Sequence, residues 1–357
     1  RPAVVVDVAS AAAVGVDDLR RALGIRARAR RVDWYEVGDT IDPDGRVDPD
    51  GIADDGDGVA ARAVASGAPT VIACGDDTTV RRCLEAVVGT STALGIVSLG
   101  SGALLAANLG LPPGLESVPH ALEGDVVRLD VGDANGEVFA VHAGFGVDAL
   151  HGVRAAGDQG PGIGEVLRQL VSLRRRHAAV IVHVDGVQRF EGRTACLLVA
   201  NCSGGPGRGV LVPDVEPTDG MLDLAVLAPR GPLAWAQVLW RLAMGRPQRP
   251  EHVLRARGEW VFVQLWRRHA YELDGEPRPP ARRLDVRVWP EALAVRVPPA
   301  PSDDEPSADE RAGDEPSGDE PSGDEPAGRA VPPGTTSGAA SNGNDRRVAE
   351  VDEASTN

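Results

Sequence analysis

The chain contains no lysine; all 37 of its basic side chains are arginine. Any role ordinarily filled by an ammonium group is therefore absent or carried by a planar guanidinium, which is not its equivalent. Cysteine is sparse, with Cys74, Cys83, Cys196 and Cys202 and no CxxC pair. All four fall in or beside expected core elements, which points to reduced thiols in a cytosolic protein. The seven histidines are scattered, with no HExxH and no Cys/His cluster, so no zinc site is legible. No apolar run approaches the roughly 18 residues of a membrane-spanning helix. Residues 3–16 are interrupted by Asp7 and have Arg1 as the single basic residue before them, which reads as a first strand and helix entry rather than a signal peptide. A basic stripe is missing too. The formal charge is −16 over 357 residues, and residues 302–357 alone hold 15 acidic and 4 basic side chains. The remainder is only mildly acidic, which excludes a nucleic-acid-binding surface.

What is present is alternation. Residues 3–8 and 32–37 are β-branched or apolar runs, helical patterns fall at 17–25 and 59–66, and residues 71–112 read in order as strand, polar turn, helix, strand, Gly-rich turn and helix. This order predicts a doubly wound parallel sheet with helices on both faces. Two turns, Cys74-Gly75-Asp76-Asp77-Thr78 and Gly100-Ser101-Gly102, each follow a strand, at the edge where open α/β sheets bind ligands. Glycine lets backbone approach closely, and free N–H groups at the next helix start suit an anion such as phosphate.

After Pro112-Pro113 the pattern changes, and from about His120 the period becomes two. Expected strands lie at 126–131, 138–141, 180–184, 195–200, 210–212, 222–227, 260–265 and 284–288, with turns at 133–136 and 185–186. Two helical stretches, 163–176 and 233–246, carry apolar faces; the first ends in Arg174-Arg175-Arg176. Both suit either packing on their own sheet or contact with an anionic bilayer surface. The expected organisation is an α/β nucleotide-binding-like domain at 1–119, rejoined by about 289–298, and an all-β sandwich at 120–288 for lipid or other substrate. An acidic tail at 299–357, built on DEPS and GDEP repeats, is expected to be disordered because it cannot bury enough apolar surface.

Four segments together resemble the diacylglycerol kinase catalytic-domain family, which includes bacterial lipid kinases and sphingosine kinases. Residues 74–78 fall where that family has GGDGT. Residues 100–112 align with GTGNDFARxLGIP. Residues 144–149, GFGVDA, look like its GxGxDA segment. Pro213-Asp214 with Asp219-Gly220-Met221-Leu222-Asp223, and then Leu273-Asp274-Gly275-Glu276-Pro277, resemble its DDGxLD and DGE pair. The resemblance spans about 3–298 and implies an α/β domain of the NAD kinase/diacylglycerol kinase type plus a β-sandwich. It implies ATP-dependent phosphorylation of a diacylglycerol-like lipid, with Mg2+ neutralising the transferring group. By the same carry-over, Glu276 is the proton acceptor and Asp76 its catalytic companion. Gly75, Asp77, Thr78, Gly100, Ser101 and Gly102 surround the nucleotide, and Asp219 and Asp274 hold metal. The implied partner is a lipid at a membrane surface, reached by a cytoplasmic protein at the inner membrane face; nucleic acid is excluded and a homodimer is admitted. On its own, LDGE reads as a hairpin turn.

Departures from the family pattern concentrate on the nucleotide side. Cys74 and Asp77 replace two glycines of GGDGT, Ala103 and Leu104 replace Asn-Asp, and Ala107 replaces Arg. A carboxylate about 4 Å from a phosphate charge costs roughly 4 kcal/mol at an effective dielectric near 20. Three readings stay open: an active lipid kinase, a pseudokinase that binds lipid or regulates, and an NAD kinase-like enzyme.

Overall fold

The computed structural model describes residues 1–26, 32–37, 57–100, 104–146, 177–203, 211–212, 215–244, 246 and 248–299. Strands β1 (Ala3–Asp7), β2 (Asp33–Val37), β3 (Thr70–Gly75) and β4 (Ala93–Ser98) form a parallel sheet in the order β2-β1-β3-β4. Because side chains alternate along a strand, each face collects its own core. Val5, Val71, Ala73, Leu94 and Ile96 pack one way, against Val59, Ala63, Val80 and Leu84 of helices α3 (Asp57–Ala65) and α4 (Asp77–Val87). Val4, Val6, Ile72, Cys74 and Val97 pack the other way, against Leu19 and Leu23 of α2 (Val16–Arg26) and Val118 and Ala121 of α6 (Val118–Glu123). Helices α1 (Val8–Ala12) and α5 (Leu104–Asn108) are single turns that follow β1 and β4. Continuous burial across β3 and β4 is what a sheet covered on both sides requires.

The remaining strands pair antiparallel with one another. They are β5 (Asp125–Ala134), β6 (Glu137–Phe139), β7 (His142–Phe145), β8 (Ala178–Val184), β9 (Val187–Thr194), β10 (Cys196–Ala200), β11 (Leu222–Leu227), β12 (Val253–Gly258), β13 (Trp260–Leu273) and β14 (Glu276–Val297). Their inner faces build a sandwich core around Phe139, Leu197, Leu222, Val261, Val263 and Val286. Helix α7 (Pro232–Ala243) closes a smaller core through Trp235 and Val238. Strand β14 runs on past the sandwich and ends alongside the parallel sheet, where Val295 pairs with Leu94 of β4.

The fold class is the expected one, and three local readings are corrected. Residues 118–123 are helical, preceded by a 3-10 turn at Gly114–Ser117, because Pro119 sits at the helix start, where its missing N–H is harmless. Leu211 and Val212 lie in a turn rather than a strand. Strands β13 and β14 extend well beyond 260–265 and 284–288, and the prolines at 277, 279, 280 and 290 lie within β14. The expected helix at 163–176 and the acidic tail fall outside the described residues. No described helix is long and apolar enough to cross a membrane.

Candidate functional site

The 74–78 turn is shaped by Thr79. A side chain at Gly75 would place its Cβ 2.7 Å from Thr79 Cβ, so only glycine fits there. Asp76 is the N-cap of α4; its Oδ1 accepts the Thr79 backbone N–H at 2.9 Å and the Thr79 hydroxyl at 3.1 Å. Thr78 lies half-buried in the first turn of that helix. The two turns press together: a Cβ on Gly100 would sit 3.1 Å from Asp76 Cα, and Leu99 N–H donates to the Gly75 carbonyl at 2.8 Å. Ser101 and Gly102 lie outside the described residues.

Asp77 closes the gap between the turns. Its Oδ1 accepts the backbone N–H of Leu104, the first residue of α5, at 2.9 Å. The donor that a phosphate would use is thus occupied by a side-chain carboxylate. The same arrangement recurs after β1, where the Asp7 carboxylate accepts Ala9 and Ser10 N–H at 3.3 and 3.0 Å. Three helix starts along the carboxyl edge of the sheet therefore each carry an internal aspartate, satisfying orphan donors and the helix dipole.

Facing them is the β13–β14 hairpin. Asp274 and Gly275 form its two-residue turn with φ of 50° and 88°, the left-handed pair that an Asp-Gly turn supplies. So the LDGE segment is a hairpin turn, and a highly tethered one. Asp274 Oδ2 accepts Ala140 N–H at 2.8 Å, while its Oδ1 accepts Val141 and His142 N–H at 2.8 and 2.9 Å. Three of a carboxylate's roughly four acceptor positions are filled. This residue, expected to hold metal, is engaged as a clamp on the 140–142 backbone.

Glu276 sits beside that clamp. Arg278 reaches its Oε2 at 3.1 and 3.2 Å, and Arg81 Nε of α4 lies 3.6 Å away. Arg81 is only 5% exposed and binds Glu85 at 2.7 and 2.9 Å and the Leu273 carbonyl at 3.2 Å. Glu137 joins through Arg278 at 2.7 Å and Arg81 at 3.7 Å. Arg81 therefore joins the helix that follows the first turn to the hairpin carrying Glu276. Asp77, Arg81, Leu104, Val141 and Asp274 line a narrow cleft with about 20 Å³ open to a water-sized sphere, room for a water or two.

Asp219 belongs elsewhere. It pairs with Arg257 of β12, and its Oδ1 accepts Met221 N–H at 3.0 Å. Asp223 lies 3.5 Å from the same guanidinium, yet burial pushes its carboxyl up to about 6. A polar chain links this region to the hairpin. The fully buried Asp130 accepts Gly220 N–H at 2.6 Å and Glu291 N–H at 2.8 Å. Asn201 Nδ2 bridges the Asp130 and Ala140 carbonyls at 2.8 and 2.9 Å, and the Ala140 N–H donates to Asp274. Arg81, Asp130, Asn201 and Arg278 escaped the motif reading. Only Asp130 leaves a trace in sequence, as a carboxylate inside an apolar strand run. Among the described residues no three His, Cys, Asp or Glu side chains are grouped to hold a metal ion. Asp219 and Asp274, each expected to hold metal, are engaged by Arg257 and by backbone N–H groups respectively.

The thiols carry no chemistry in this arrangement. All four cysteines are buried and outside any disulfide, and desolvation raises Cys83 and Cys202 to about 12 and Cys74 higher still.

Residues 43–134 match the diacylglycerol kinase catalytic domain, and residues 163–297 match the YegS C-terminal NAD kinase beta sandwich-like domain. A Pseudomonas aeruginosa protein named "probable lipid kinase YegS-like" is 29% identical over 252 residues, covering 69% of this chain and 82% of its own. A Bacillus subtilis diacylglycerol kinase is 26% identical over 216 residues, covering 58% and 70%. The crystal structure of a diacylglycerol kinase from Bacillus anthracis superposes with a TM-score of 0.59 at 16% identity, over 83% of this chain and 96% of that one; at that identity the likeness concerns the fold. Both domain matches fall in order on one chain, and the named relatives align over most of their own length; this chain thus carries a segment matching the diacylglycerol kinase catalytic domain followed by one matching the YegS C-terminal beta sandwich-like domain.

Proposed function

We propose that this protein transfers the γ-phosphoryl group of ATP to the hydroxyl of a diacylglycerol-like lipid. The observation that carries the reading is the Arg81 connection, which draws the hairpin turn bearing Glu276 onto the helix that follows the Asp76-Asp77 turn. In the reaction the lipid hydroxyl oxygen attacks the γ-phosphorus and Glu276 takes the hydroxyl proton. The bond from phosphorus to the ADP oxygen breaks, leaving ADP and a phospholipid. Such a transfer asks mainly for positioning and charge stabilisation. Arg278 and Arg81 fix the Glu276 carboxylate, and Asp274 fixes the turn beneath it. ATP entry displaces Asp77 from the Leu104 N–H, which then meets phosphate. Mg2+ would arrive with the nucleotide, held by its phosphates, water and one or two carboxylates, and would neutralise charge on the transferring group.

A second reading, a pseudokinase that binds lipid or regulates, is favoured by one observation: the helix starts after β1, β3 and β4 are each filled by the chain's own aspartate. Calorimetry with ATP and Mg2+, joined to transfer of labelled phosphate to dispersed diacylglycerol, separates the two. The kinase reading expects ATP binding, lipid phosphorylation, and loss of transfer without loss of ATP affinity in Glu276→Gln. A wild-type protein that binds no ATP sinks it in favour of the second.

A further inference from the structure

Beside the Glu276 hairpin lies a concavity of about 640 Å³ lined by Arg268, Arg282, Arg283, Arg287, Asp133 and Trp289. Its shape follows from a break in strand pairing. Between Gln264↔Arg283 and His269↔Ala281, β13 advances five residues while β14 advances two. The surplus throws Trp266, Arg267 and Arg268 outward, and Trp266 is 69% exposed. The carboxylates nearby are already engaged: Asp133 Oδ1 accepts Gly136 N–H at 2.8 Å, and Asp285 Oδ1 accepts the Trp260 indole N–H at 2.7 Å. Arg287 stacks over Trp260 at 5.2 Å and lies 3.6 Å from Asp285. Arg268, Arg282 and Arg283 are exposed, and their guanidinium groups make no hydrogen bond or ion pair with any described residue; the Arg283 backbone carbonyl accepts Asn135 Nδ2 at 3.2 Å.

We propose that this concavity docks the protein on the anionic surface of a phospholipid bilayer. In a chain of net charge −16, three unpaired guanidiniums in one hollow are complementary to phosphate groups, which they bind bidentately. The exposed indoles of Trp266 and Trp289 belong at the headgroup level, where one end of the ring is apolar and the other wet. Pro280 at the edge of the hollow is four residues from Glu276 on the same strand, about 13 Å at 3.3 Å per residue. The surface thus lies on the same strand as the residue proposed to take the lipid proton. The purpose of the surface rests on the lipid-kinase reading; its measurement does not.

The test is co-sedimentation of the full chain, without nucleotide, on vesicles of phosphatidylglycerol in phosphatidylcholine and on vesicles of phosphatidylcholine alone. Wild type is expected to partition onto the anionic vesicles and to be released by high salt. At about 1 kcal/mol per basic residue, the Arg268→Ser/Arg282→Ser/Arg283→Ser variant loses roughly 100-fold in partition. Replacement of the same three by lysine retains most of the binding, since charge near the surface carries the attraction. Equal binding of wild type and the serine variant overturns the proposal. So does a wild type that ignores anionic vesicles, or one that binds only a soluble polyanion such as heparin. None of these outcomes depends on whether ATP or lipid is turned over.

Discussion

The carboxylate of Asp77 accepts the backbone N–H of Leu104 at 2.9 Å, tying the first residue of one helix to the start of another 27 residues on. This contact stands where the resembled GGDGT motif has a glycine. Asp77→Gly is therefore expected to bind ATP at least tenfold more tightly, because a repulsion of roughly 4 kcal/mol at an effective dielectric near 20 is removed. The same change leaves α5 without its cap and puts glycine in α4. Each costs about 1 kcal/mol, so urea denaturation should show a loss of about 2 kcal/mol. Unchanged nucleotide affinity in the face of that loss would show that Asp77 caps a helix and does nothing else.

Arg81 is the second point of leverage. It is almost fully buried, with Glu85, the Leu273 carbonyl and Glu276 around its guanidinium. Arg81→Met leaves a carbonyl and carboxylates without their donor, and breaking a buried ionic network from one side costs about 3 to 5 kcal/mol. Here Glu85 and Glu276 keep partial access to water, which places the expected loss near the lower figure. Arg81→Lys should recover less than half, since one ammonium cannot meet three acceptors on different sides. Equilibrium unfolding in urea measures both.

A pH dependence follows from Asp223. Burial raises its carboxyl from 3.8 to about 6, although Arg257 lies 3.5 Å away. The guanidinium does not offset this because it is drawn to Asp219 and leaves Asp223 Oδ2 buried without a hydrogen bond. The folded state thus holds this proton more tightly than the unfolded chain. Its contribution is stabilising at low pH, declines as pH rises from about 4 to about 6, and is level above. Measured against wild type at each pH, Asp223→Asn should gain relative stability across that interval and then hold steady. A difference that is flat from pH 4 to 7 would place the carboxyl at its ordinary value.

Much of the architecture was legible because it is local. β-branched runs gave β1, β3 and β4, and the Asp-Gly pairs gave the hairpin turns at 185–186 and 274–275. What escaped depends on partners far apart in the chain. Arg81 meets the Leu273 carbonyl across 192 positions, and Asp130 meets Glu291 across 161; no period or motif encodes such distances. The extent of β14 escaped for another reason. Pro277, Pro279 and Pro280 argue against a strand, yet only scattered ladder positions are needed where β13 bulges away. The clamp made by Asp274 is not legible either, because a DGE motif in sequence says nothing of the three backbone N–H groups from 140–142 that its carboxylate accepts.

Asp274 accordingly provides the sharpest separation of clamp from ligand. Hydrogen bonds to a charged acceptor contribute about 1.5 to 3 kcal/mol each, and Asp274 accepts three, at 2.8, 2.8 and 2.9 Å. Asp274→Asn keeps one oxygen but turns an NH2 group toward a donor, so at least one amide is left unmet. The expected loss is about 2 to 4 kcal/mol, with faster hydrogen exchange at Ala140, Val141 and His142. A ligand role makes the opposite forecast. Millimolar Mg2+ would stabilise the wild type by mass action and chelation would reverse it, while the Asn variant would respond to neither. With both carboxylate oxygens turned toward backbone amides, wild-type stability should be indifferent to Mg2+ and to EDTA, and the whole effect of the substitution should persist in their absence.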